Sequence, residues 1–118
     1  MTDYGITTQT QAPDNLIAGA CLIEATPLDS TVGTASRGQV LTYDPTGNNF
    51  VKFTSHTTGN IYRILEEDVV ITVDTTALAI VHGVVNKAGL DATAQADADF
   101  QYVAPASGLV VKDSIAVE

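Results

Sequence analysis

The sequence has no tryptophan, a single cysteine, a single methionine and only five basic side chains in 118 residues. Each shortage excludes something. Cys21 alone cannot build an intramolecular disulfide framework or a cysteine-based zinc site. Five Lys and Arg against 14 Asp and Glu, a formal net charge of −9, leave no basic stripe to neutralise phosphates. Direct nucleic-acid binding and attraction to an anionic membrane are both disfavoured. The apolar runs are short, residues 16–23 being typical, whereas a bilayer-spanning helix takes about 20 apolar residues. The N-terminus also lacks the basic region of a signal peptide. The expectation is a soluble protein made in a reducing cytosol.

What is present supports one small folded domain. A hydrophobic content of 45% is enough for a core and argues against disorder throughout. Residues 1–15, rich in Thr and Gln, show neither a helical nor a strand period. Residues 16–23 are apolar and of strand length, and residues 26–38 form a second Gly/Ser/Thr-rich stretch. We therefore expect residues 1–36 to be a flexible N-terminal arm and residues 37–118 to be the compact domain.

Beyond residue 37 the β signals dominate. Residues 39–43 and 49–54 alternate in character around Asp44-Pro45-Thr46-Gly47, which carries turn chemistry, so they read as a hairpin. Residues 61–65 alternate, residues 69–73 are β-branched, and residues 77–85 are apolar on both faces, as suits a central strand. Asp91 is an N-cap for one helix with Ala92, Ala96, Phe100 and Val103 at helical spacing, ended near Ala104 by Pro105. Residues 109–111 and 114–117 supply closing strands. The expected class is α+β and β-rich: a small mixed barrel-like or sandwich-like domain with one or two short helices and a flexible N-terminal arm.

Chemistry-bearing residues are sparse. His56 lies in a polar loop and reads as solvated, and His82, in an apolar strand, reads as a core or interface histidine; neither has a second histidine at metal-binding spacing. Glu66-Glu67-Asp68 lacks the alternating ligands and glycine of a calcium loop, and adjacent carboxylates on a strand end alternate in direction. Cys21 reads as a small buried hydrophobe. No phosphate-binding glycine loop or nucleophile elbow is present. Catalytic, metal-binding and cofactor-binding residues are therefore all expected to be absent. A hydrolase or metal-dependent enzyme using Glu66, Asp68 and His82 is the weakest alternative.

Leu16-Ile17-Ala18-Gly19, then Arg37-Gly38-Gln39-Val40-Leu41, then Ile64-Leu65-Glu66-Glu67-Asp68-Val69 follow one another in a distinctive order. Ala79-Ile80-Val81-His82-Gly83-Val84-Val85, Gly89-Leu90 and Ser107-Gly108-Leu109-Val110-Val111-Lys112 continue it. In this order and spacing the chain resembles the head decoration, or capsid-stabilising, proteins of lambda-type tailed bacteriophages. The likeness runs over residues 14–112, except that residues 91–106 show little of it. The resemblance implies a non-enzymatic structural protein on the outer surface of an expanded virion head. It would bind the major capsid protein as a homotrimer at local three-fold sites and stabilise the shell against internal DNA pressure. A different virion module, a head-fibre base or tail-associated β domain, is the alternative. The candidate capsid contacts are Leu16, Ile17, Leu22 and Ile23, since an apolar segment outside a compact domain needs a surface to cover it. Packing of that segment on its own domain is the competing expectation.

Overall fold

The computed structural model describes residues 16–57 and 59–112. Among the described residues, eight strands and two short helices form a strand-rich α+β domain. The strands are β1 (Ile17–Leu28), β2 (Thr34–Ala35), β3 (Val40–Asp44), β4 (Asn49–Lys52), β5 (Tyr62–Leu65), β6 (Val69–Val70), β7 (Thr75–Asn86) and β8 (Leu109–Lys112). The helices are α1 (Ala92–Ala96) and α2 (Phe100–Val103).

The large sheet runs β1-β4-β3-β5-β7-β8, and β1 also pairs with β7, so five of its strands close on themselves. The closure is asymmetric. β1 meets β4 only at Leu28↔Phe50, but it runs antiparallel to β7 from Ile17↔Val85 to Leu28↔Thr75. The far half of β1 and β7 thus continues beyond the barrel as a ribbon, with β8 added in parallel at Gly83↔Leu109 to Asn86↔Lys112. β7 pairs with β1, β5 and β8, the central position expected for it. β2 and β6 form a separate two-stranded sheet.

Strand alternation divides the apolar residues into two cores. Leu41, Phe50, Leu65, Ala77 and Ala79 point into the barrel with Leu28, Val32 and Ala35. Arg63 lies at the same inner face, stacked over Phe50 at 5.0 Å from the ring centre and donating to Thr26 Oγ1 at 2.8 Å. On the opposite face Val40, Ile64, Ile80, Val85, Leu109 and Val111 pack under Ala94, Phe100 and Ala104. Phe53, Tyr62 and Phe100 meet pairwise there at 5.0–5.8 Å between ring centres, in tilted or edge-on geometry.

The joint between β3 and the helical segment is made by the Asp91 carboxylate and by close backbone contact at Gly38. Asp91 caps α1 by accepting from Ala94 N–H with one oxygen, and accepts Val40 N–H with the other. Gly38, at φ +102°, lies so close to the Gly89 carbonyl that a β-carbon would strike it. The β3–β4 hairpin forms as expected, but the left-handed residue of its turn is Asn48 at φ 54°, steadied by Tyr43 Oη at 2.6 Å, and not Gly47.

Three expectations need correction. The packing boundary does not fall at residue 36. Leu16, Leu28, Val32 and Ala35 are buried, and β1 pairs across the domain with β7. The expected strand over 69–73 shortens to Val69–Val70, because Ile71 N–H turns to the Gly33 carbonyl and Asp74 turns to Ser30 N–H. The expected single helix is two, broken at 97–99, where Asp97 adopts an extended backbone and its carboxylate accepts from His56 and Asp99 N–H. The expectations for residues 1–15 and 114–117 lie outside the described residues.

Candidate docking face

The acidic run 66–68 and His56 are occupied in holding the fold, whereas His82 is exposed. Glu66 takes a two-pronged bond from Arg37, at 3.0 Å from Nε and 3.3 Å from Nη2. Glu67 accepts Leu78 N–H at 2.7 Å, and Asp68 accepts Arg37 N–H at 2.8 Å. Glu66 and Asp68 thus both hold Arg37, one through its guanidinium and one through its backbone, while Glu67 between them holds Leu78. Among the described residues no group of three or more His, Cys, Asp or Glu is placed to hold a metal ion. No helix there is long and apolar enough to cross a membrane.

His56 is not the solvated loop residue the sequence suggested. Its backbone N–H donates to Asp97 at 2.8 Å, and its ring Nδ1 lies 2.9 and 3.0 Å from the two Asp97 oxygens. Desolvation acts to raise the Asp97 pKa, but the backbone and ring of His56 and the backbone of Asp99 bond the charged form and carry it below the usual carboxylate value. Asp29 is lowered chiefly by the bond it accepts from Thr31 N–H. A carboxyl with a depressed folded-state pKa stabilises the fold above its unfolded value of about 3.9 and loses that contribution as pH falls through the folded value. The thermal midpoint should therefore drop on acidification below about pH 4. Asp97→Asn should flatten that drop, as read by melting curves at successive pH values.

The feature left without an internal role is a sheet face. In the ribbon β1–β7–β8, alternate residues Cys21, Val85, Leu109 and Val111 face the helix-covered core. The residues between them form the opposite face: Leu22 is paired with His82, and Val84 with Val110. A sheet with one face in solvent ordinarily alternates apolar inside with polar outside. Here both sides read apolar, with Leu22 48% and Val110 42% exposed, Val84 half-buried, and His82 and Lys112 exposed among them. Gly19 lets β1 lie against this face, since a β-carbon there would come within 3.1 Å of Val84 Cβ. At Gly108, φ +95°, the chain passes directly beneath the His82 ring, and only a residue without a side chain fits.

The four sequence candidates separate on this ribbon. Leu16, 2% exposed, is part of the helix-covered core, and Ile17 packs against it half-buried, so neither presents a surface. For these two the competing expectation of packing on the own domain holds. Leu22 and Ile23 are exposed, on opposite faces of β1 because successive strand residues alternate. Ile23 has exposed apolar neighbours in Ala25 and Leu78, which are paired across the strands. Sequence reasoning missed Val84 and Val110. The unbroken runs Cys21-Leu22-Ile23, Val84-Val85 and Leu109-Val110-Val111 show that both faces are apolar without telling which of them is exposed.

In comparisons with known proteins, the chain matches no family model and no curated protein.

Proposed function

We propose that the protein is a capsid decoration subunit: a non-enzymatic module that binds the outer surface of an expanded phage head, as a homotrimer, and stabilises the shell. The apolar ribbon face of Leu22, Val84 and Val110 is the surface it lays on the capsid protein. The supporting observation is that the motifs behind the family resemblance, scattered in sequence, are mutual neighbours in the fold. Arg37 bonds Glu66 and Asp68, Gly38 N–H donates to Leu65, Val40 pairs with Ile64, and Ile64 pairs with Ile80. They form one frame, and that frame carries the ribbon.

The acidic charge fits a position outside a DNA container, where repulsion from phosphate costs nothing and a basic patch on the shell is attractive. Burying the ribbon face would remove Leu22, Val84 and Val110 from water, and a trimer would multiply a modest single-copy affinity. Co-sedimentation with expanded and unexpanded capsids is the test.

A further inference from the structure

We propose that residues 66–74 form a second docking element, for a partner protein surface that presents an apolar socket rimmed by Lys or Arg. Val70 and Val73 are 78% and 68% exposed, more than the ribbon residues just described. They stand on a segment that is fastened on all sides. Val69 and Ile71 pack inward against the barrel core, and Val69 and Val70 pair with Ala35 and Thr34. Ile71 N–H donates to the Gly33 carbonyl at 3.0 Å, Asp74 accepts Ser30 N–H at 2.9 Å, and Glu67 accepts Leu78 N–H. Two large apolar side chains are thus held out on a backbone already ordered, so a partner that takes them up has little further entropy to remove.

The charge around them selects the partner. Glu66, Glu67, Asp68 and Asp74 lie in the segment, and two cations stand beside it, Arg37 on Glu66 and Lys52 on the carbonyl of Thr34, so the carboxylates remain in surplus. A second copy would bring the same carboxylate surplus against this one, on a chain of net charge −9, and an anionic membrane or nucleic acid would be repelled in the same way. A basic rim around an apolar socket complements both features. The segment precedes Thr75 at one end of β7, whereas Val84 lies near the other end. At about 3.3 Å per residue the two surfaces are roughly 30 Å apart, so this element and the ribbon face can be occupied by different partners.

The probe is a short peptide of alternating leucine and lysine titrated into the isotope-labelled full chain, with a leucine–glutamate peptide as control, and NMR amide shifts as readout. The expected result is saturable shifts confined to residues 66–75 with the lysine peptide only, weakened by salt. In the double variant Val70→Ser, Val73→Ser, which changes only exposed side chains, binding should weaken about tenfold or more. Unchanged affinity in the variant, shifts centred on Leu22 and Val110, or concentration-dependent self-association through the segment would overturn the proposal. Capsid co-sedimentation of the same variant should equal that of the unaltered chain. A failure of the unaltered chain to co-sediment would count against the decoration function and leave this second element standing.

Discussion

Replacing Phe100 by alanine should lower the stability of the domain by about 3–5 kcal/mol, the range for a large buried aromatic. Phe100 is the side chain through which the short α2 joins the sheet. It is 1% exposed and touches the rings of both Phe53 and Tyr62, while Ala104 and Val103 pack beside it. α2 has only four residues, too few for a helix to hold itself by backbone bonds, so its packing has to come from this contact. The surrounding strands are fixed by their ladders and cannot collapse into the space left behind, which places the loss toward the upper part of that range. Urea unfolding at constant slope checks it, and a shift below about 1 kcal/mol would mean that the helical segment is not part of the cooperative core.

The second large effect is on binding. Leu22→Ser together with Val110→Ser should leave the fold intact, because both residues are exposed on the face away from the helix-covered core. It should weaken association with expanded capsids by about tenfold or more, since each removes an apolar group that the interface would bury. The matching substitution on the other face of β1, Ile23→Ser, should have a smaller effect on capsid association, because Ile23 points away from Val84 and Val110. Equal losses from both would assign the contact to the edge of the ribbon and not to one face.

Most of the sheet was legible in the sequence because a half-buried strand writes its period into every second residue. The hairpin of β3 and β4 and strand β5 follow that rule, and the central strand β7 was marked by its long apolar run instead. The role of residues 16–35 was not legible. Their apolar positions are spread among Gly, Thr and Ser, and the strand that completes them, β7, lies some 60 positions further on. Local pattern cannot report a pairing at that distance, so a core strand read as part of a free arm.

The helix break had the same origin. Ala92, Ala96, Phe100 and Val103 keep helical spacing, but Asp97 is drawn out of the helix by His56, a residue from another loop. The candidate site was partly legible: Leu22 was marked by its apolar segment, whereas Val84 and Val110 were hidden in runs that look the same whether one face is covered or two. Only the register of β1, β7 and β8 separates them.

The most direct test of the proposed decoration function is co-sedimentation of the purified chain with expanded and with unexpanded capsids of a lambda-type phage. The account predicts that the chain pellets with expanded shells at saturating, near-integral ratios to local three-fold sites, and that Leu22→Ser with Val110→Ser reduces this binding. Absence of the chain from both pellets, with the protein folded, would contradict it.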